Sequence, residues 1–316
     1  MSDVMDTMSP MMERVSAYFA PVNRTAQLAT IFDAAQNGRF ALNSPPSPWV
    51  GLGWIAGFTR TCGTKIEAVR TGSPAVAQMQ SRTEIESTVS FAFESWGKLQ
   101  IALSAGSQQM NLLKVASGSP SEGSGGTAIS AVALQAGSSA NVIQVGSTAA
   151  SGFAVGELIA VDVDYVTQTG FVGSGVSGAY VQATLTDVDY IRRVTLNVGR
   201  ITNVNVATGA LTLQWPLIAG VPSATMKVSG VVGFCDREGS SFFQEWSAVF
   251  VGEGQQGERL IWHYPRLQAM SGAAEASAKA GGGYEKIQLS AAFRALPVKD
   301  PVDGETVVCF RSYVAG

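Results

Sequence analysis

The stretch TEIESTVSFAFESW, residues 83–96, alternates with a period of two. Ile85, Val89, Phe91 and Phe93 share one parity, while Glu84, Glu86, Thr88, Ser90 and Glu94 share the other. Successive side chains of a strand point to opposite faces, so this pattern specifies a strand with one dry and one wet face. At roughly 3.3 Å per residue the run spans about 45 Å, well beyond the usual strand. A chain built around such a ribbon must cover one long apolar face and leave a row of carboxylates in water.

Composition agrees with a mostly β protein. The 316 residues include 35 glycines, and long stretches are dominated by Val, Ala, Ser and Thr. Only 14% are charged, against about 25% in ordinary domains. So much neutral surface is expected where copies of one chain cover each other. A net charge of −3 gives no footprint for clinging to nucleic acid. The three cysteines, Cys62, Cys235 and Cys309, are far apart with no C-x-x-C, and are expected to be buried thiols in a reducing compartment. The N-terminus carries Asp3 and Asp6 and no basic stretch ahead of an apolar core, so no signal peptide is read there. Residues 123–156 lack charge but are broken throughout by Gly, Ser, Asn and Gln, which argues against a membrane span.

Along the chain, Met12, Val15 and Phe19 recur at helical spacing behind Pro10, and a second short helix is expected from Thr25 to Asn37-Gly38. SPPSPWVGLGWIAGFTR, residues 44–60, is expected to break regular structure. Its Trp49 and Trp54 are candidates for an arm docking on a neighbouring subunit, with packing on the chain's own core as the alternative. A strand follows from Lys65 to a glycine turn, then the long strand, then a short helix through Leu99 and Leu103 stopped by Gly106. ASGSPSEGSGG, residues 116–126, reads as a linker. Residues 119–232 read as an inserted small β-barrel or β-sandwich with a turn at Thr208-Gly209. Long strands return over 241–252, 258–268, 285–296 and 305–314, with a loop expected over 271–283. The host domain is thus discontinuous, 1–118 and 233–316, with residues 1–60 as its N-terminal arm.

The chemistry of a catalyst is sparse. His263 is the single histidine, so a H-E-x-x-H zinc site is excluded and any Ser-His-acid triad depends on that residue alone. It lies inside LIWHYPR and is expected to be a packed or interface residue. Neither G-x-S-x-G nor G-x-x-x-x-G-K occurs. Gly173, Gly175 and Gly178 form a G-x-G-x-x-G, but the β-branched run after it is no helix and cannot present an N-terminus to a pyrophosphate. Asp162, Asp164, Asp187 and Asp189 come in i, i+2 pairs that two strands would each hold on one face; a hard cation or a solvated face are the two readings. No enzyme activity, cofactor, catalytic residue or metal ligand is expected.

The segments GTKIEAVRTGSPA, SRTEIESTVSFAFESWGKLQIALSAG, LIWHYPRLQAMSG and GYEKIQLSAAFRALPVKDPVDGETVVCF resemble the major tail tube proteins of long-tailed bacteriophages. The resemblance covers the host domain, about two hundred residues, at the level of pattern; the insertion departs from it. It implies a tail-tube β-sandwich/barrel subunit with a flanking short helix. Its copies would close into hexameric rings stacked as a conduit for the genome, in the virion tail, assembled in the host bacterial cytoplasm. Partners would be the chain itself, the tape measure, tail terminator and baseplate or tip proteins, and passing double-stranded DNA that is not specifically bound; no membrane is implied. Glu84, Glu86 and Glu94 would then look into the lumen and repel phosphates over about 10 Å at 0.1 M salt. Two other classes remain open: the tube of a contractile secretion or injection apparatus, and a glycan-binding tail decoration or receptor-binding protein.

Overall fold

The computed structural model describes residues 12–22, 28–95, 97–106, 108–114, 116, 129–162, 169–170, 178–179, 197–217, 220–237, 245–270, 274–281, 283–300 and 302–316. In chain order its elements are β1 (Met12–Pro21), α1 (Ala34–Asn37), β2 (Val50–Thr71), β3 (Val76–Phe93), α2 (Lys98–Ala105), β4 (Gln108–Leu113), β5 (Val132–Ala133) and β6 (Val142–Gln144). Next come α3 (Ser147–Ala150), β7 (Leu158–Asp162), β8 (Thr169–Gly170), β9 (Gly178–Ala179), β10 (Val198–Asn205), β11 (Ala210–Leu213) and β12 (Lys227–Arg237). The chain finishes with β13 (Glu245–Gly254), β14 (Arg259–Ala269), β15 (Ala274–Gly281), β16 (Tyr284–Ala295), β17 (Val298–Lys299), β18 (Thr306–Val307) and β19 (Phe310–Val314). The fold is mostly β and every strand pairing described is antiparallel.

The largest sheet runs β15-β16-β3-β2-β1-β13-β14-β19 and bends back on itself. Leu267–Ala269 of β14 pair with Phe293–Ala295 of β16, so β1, β2, β3, β16, β14 and β13 close a ring of hydrogen-bonded strands. Its interior is aromatic. Phe19 is fully buried and lies within 6.5 Å, centroid to centroid, of Phe91, Trp246, Phe250 and Phe293. Edge-to-face contacts of this kind contribute about 0.5–1.5 kcal/mol each beyond their area. α2 covers one end and inserts Leu99 and Leu103 into the same core, with Gly106 at φ +60 closing it as expected.

β1 corrects the helix expected over residues 12–19. Ser16 to Val22 are all buried, because β1 has the barrel interior on one face and a second apolar layer on the other. That layer is the segment 28–49, which lays Phe32 and Trp49 against Tyr18, Ala20, Val249, Val251 and Ile261. An apolar run buried on both faces has no clean period, so spacing alone misassigns it. The second expected helix shrinks to α1, whose N-cap is Asp33: the carboxylate accepts from the Ala35 and Gln36 amides at 2.8 and 3.2 Å.

The expected break at residues 44–60 is corrected too, since β2 begins at Val50 and runs through it. Gly53 and Gly57 sit at φ +81 and +61, where the β1–β2 and β2–β3 registers slip, so these glycines make bulges rather than an end. The loop expected at 271–283 contains β15, whose small side chains carry no strand signal but whose backbone pairs along β16. The strand expected over 305–314 divides into β18 and β19.

A second sheet, β6-β11-β10-β7-β12-β4-β9-β8, draws all its strands from residues 108–237 and has its own core around Ile143, Ile159, Ile201 and Leu211. The chain enters by β4 and leaves by β12, which pair side by side. Leu113, Ala160 and Val231 carry the packing from this sheet into the barrel core, and α2 lies against β12, β14 and β16. The turn expected at Thr208-Gly209 joins β10 to β11. Gly209 has φ +71, and a Cβ there would sit 2.4 Å from the Gly146 backbone. Gly209→Ala is therefore expected to cost at least about 1–3 kcal/mol in urea unfolding, from the left-handed backbone alone. Gly63→Ala, with nothing within 4 Å and an ordinary φ, should stay within about 0.5 kcal/mol of the parent.

Candidate functional site

β2 and β3 form one hairpin that outgrows the barrel. Ser87, Val89, Phe91 and Phe93 point inward and are buried, but both strands are exposed on both faces from Thr61 to Thr71 and from Val76 to Glu86. From Cys62 to Thr71 the ribbon extends about 33 Å. The turn at 72–75 starts with Gly72 at φ +95. Directly opposed residues share a face, so Val69 with Met79 and Thr71 with Val76 place an apolar knob at the tip, on the face that continues the barrel's outer wall. Lys65 with Glu84 and Glu67 with Ser81 form a polar belt beneath it. The other face carries Ile66 and Ile85. These apolar side chains are 45–61% exposed.

Glu84, Glu86 and Glu94 lie on one outward face of β3 and just beyond it. No bulge interrupts residues 84–88, so the parity read from sequence holds through both carboxylates. The face is not purely acidic. Arg294 of β16 donates to Glu86 at 2.8 Å, Lys286 donates to Glu94 at 3.1 Å, and Glu84 is opposite Lys65. Between the pairs lie Thr61 and Thr88, hydroxyl to hydroxyl at 2.6 Å, and Ser90, Ala92 and Ala292. The surface is a flat, small-residue sheet wall dotted with exposed ion pairs. Such pairs add at most about 1 kcal/mol to stability each.

The two tryptophans part company. Trp49 is 7% exposed and packs edge-on against Phe32 and His263, at 5.7 and 5.8 Å, inside its own subunit. Trp54, on β2, is 38% exposed and lies under the Arg14 guanidinium at 5.6 Å. Asp164, Asp187, Asp189, Gly173 and Gly175 lie outside the described residues, as does the side chain of Asp162; Gly178 is in β9. Among the described residues no group of three or more His, Cys, Asp or Glu side chains could hold a metal ion.

Sequence reasoning left the interior charges unseen. Glu245 and Arg266 pair in a largely buried position, and Arg60 donates to the Tyr264 hydroxyl at 2.9 Å. Burial pushes the Tyr264 phenol up to about 12. A strand's alternation marks which face is dry but says nothing of which charges meet across a closed ring.

His263 is buried, as expected, among Phe32, Trp49 and Phe310. Its Nε2 lies 3.3 Å from the Thr30 carbonyl, which only accepts, so Nε2 carries the proton. Its Nδ1 is then an acceptor, buried and without a donor among the described residues. Burial lowers the imidazole from 6.5 to about 4, with the Thr30 carbonyl opposing. The unfolded chain therefore binds the extra proton between these values, and the native state does not. Stability is fully present above pH 6.5 and falls as the pH drops toward 4. At about 1.4 kcal/mol per unit the loss is on the order of 3 kcal/mol. Thermal melts from pH 7 to 4 should show this slope, and His263→Leu should flatten it.

With this geometry in hand, comparison with known proteins adds no relative: no protein-family description matches the chain, and no curated protein does either.

Proposed function

We propose that the chain is the structural subunit of a bacteriophage tail tube, assembling into hexameric rings that stack into a conduit for double-stranded DNA. The observation that carries this reading is the hairpin. A two-stranded ribbon alone is marginal in water at best, and this one bares Ile66, Val69, Val76, Met79 and Ile85 over about 33 Å. The barrel of its own subunit does not cover them, so a neighbouring copy is the natural support. The low charge content and the terminal strands β15 and β19 of the main sheet favour the same conclusion, because pairing between subunits removes open strand edges. On this reading the chain works in the virion tail, alongside tape measure, terminator and baseplate or tip proteins, as a structural component rather than an enzyme.

The wall bearing Glu84, Glu86 and Glu94 is the surface that best suits a lumen. Glu86 and Glu94 each hold a basic partner, and Glu84 faces Lys65 across the hairpin, so a passing duplex would meet a wall of nearly balanced charge. A wall whose bases are already paired with carboxylates releases few counterions from DNA and holds it weakly.

Negative-stain microscopy and native mass measurement of the purified protein test the assembly directly. Rings or tubes are expected; monomers at every concentration would reject the reading. Replacing residues 65–84 by a short turn should leave a folded barrel, with its thermal transition retained, that no longer polymerises. Glu86→Gln with Glu94→Gln should leave assembly intact while releasing Arg294 and Lys286 toward phosphates. DNA ejection should then slow at low salt and recover as salt rises. Ejection unchanged at low salt would remove this wall from the DNA path.

A further inference from the structure

Two thiols far apart in the chain meet where β2 leaves the barrel. β2 and β14 lie across the closed ring from each other, and Arg60 of β2 donates through Nε to the Tyr264 hydroxyl of β14 at 2.9 Å. That hydroxyl is also a hydrogen-bond partner of the Cys309 thiol, which packs on the barrel core from the link between β18 and β19. Cys62 follows Arg60 by two residues with no bulge between them: Arg60 pairs with Val89, Thr61 with Thr88 and Cys62 with Ser87. Val89 and Ser87 are buried on the inward face, so Cys62 points the same way as Arg60. The two thiols lie close enough for their charges to act on the Arg60 guanidinium and on each other. Strand register and the shared arginine thus place the pair at one bridge.

The thiols differ in access. Cys62 is exposed, which corrects the expectation of three buried thiols, and Cys309 is half-buried. Burial pushes the Cys309 thiol up, with the Tyr264 hydroxyl and the Arg60 charge opposing. Its own donated contact, to the Phe310 carbonyl, is long at 3.5 Å.

We propose that Cys62 and Cys309 form an oxidation site that closes into a disulfide, with Cys62 as the peroxide-reactive thiol and Cys309 as the resolving one. The oxidant is a hydroperoxide. The Cys62 thiolate attacks one peroxide oxygen, an S–O bond forms and the O–O bond breaks, and the departing oxygen takes the thiol proton. Cys62 becomes a sulfenic acid, oxidised by two electrons, and the peroxide is reduced to an alcohol or water. The Cys309 thiolate then attacks the Cys62 sulfur, an S–S bond forms and the S–O bond breaks, and hydroxide leaves with the Cys309 proton as water. Arg60, beside both sulfurs, favours the thiolate in each step.

A disulfide needs Cα atoms within about 7 Å of each other. Cys62 stands at the foot of a ribbon that no layer covers, and Cys309 sits in a link outside both flanking strands, so each has room to adjust. The bond straps the β18–β19 link to the foot of the hairpin and closes most of the chain into one loop. A loop of that length strongly constrains the unfolded chain. A reducing cytoplasm leaves the pair open and an oxidising medium closes it. The site goes beyond the tail-tube reading and does not depend on it.

Peptide mapping of the full-length protein tests the site. Folded protein is treated with hydrogen peroxide, then denatured and alkylated without reductant. The Cys62 and Cys309 peptides are expected joined, with Cys235 alkylated. In the Cys309→Ser chain the Cys62 sulfenic acid should persist and be trapped by dimedone; in the Cys62→Ser chain Cys309 should remain a thiol. Peroxide should raise the parent's melting temperature by roughly 5–10 °C and leave both variants unmoved. Cys62 joined to Cys235, Cys62 joined to Cys62 of another copy, or Cys62 oxidised to sulfinic acid with Cys309 still free would each overturn the proposal. The parent's map decides the matter on its own should a serine variant fail to fold. Rings or tubes of a protein that forms no such bond would overturn the site alone and leave the tail-tube reading intact.

Discussion

Closure of the barrel rests on a short pairing, Leu267–Ala269 of β14 with Phe293–Ala295 of β16. Without it the main sheet is an open run of strands whose two faces both need cover. With it, the face bearing Phe19, Phe91, Phe250 and Phe293 turns inward and becomes one aromatic core. Closure also explains why β14 serves two neighbours on one edge. Residues 259–263 pair with β19, and 267–269 pair with β16. The strand leaves one partner and joins another around Pro265, which has no amide hydrogen to donate.

The same closure forces the hairpin outward. β2 and β3 are 22 and 18 residues long, while their neighbours β1 and β13 have 10 each. The ring can use only a barrel's height of each strand, and the excess leaves the barrel as a ribbon with no layer on either side. Its apolar residues therefore cannot be explained by the subunit's own stability. On the proposed reading they belong to the assembly, where each copy's ribbon is another copy's packing. The segment 28–49 lies over the outer face of β13 and β14, and His263 is buried beneath it.

The charged wall illustrates how pairing modifies a sequence reading. Glu84, Glu86 and Glu94 look like an acidic stripe when β3 is read alone. Arg294 and Lys286 lie about two hundred residues away in the chain and arrive through the β3–β16 register. What was a repulsive row becomes a set of exposed pairs, electrically closer to neutral and more tolerant of salt. On the proposed reading, a wall of that kind suits a passing duplex better than either sign of charge alone.

Much of this was legible before any coordinates. The parity of residues 84–93, the helix stopped at Gly106 and the turn at Gly209 all follow from local periodicity and glycine placement, which act over a few residues. β1 was not legible, because a strand buried on both faces erases the alternation that identifies it. β15 was not, because Ala, Ser and Gly strands are held by a neighbour's backbone rather than by their own side chains. Nor were the Glu86–Arg294 pair, the position of Trp49 or the burial of the His263 acceptor. The sequence by itself determined which residues form strands with a dry face and how long the two great strands would be. Only the tertiary structure decided where the ring closes, and with it how much of those strands is left over, because closure depends on partners separated by hundreds of residues.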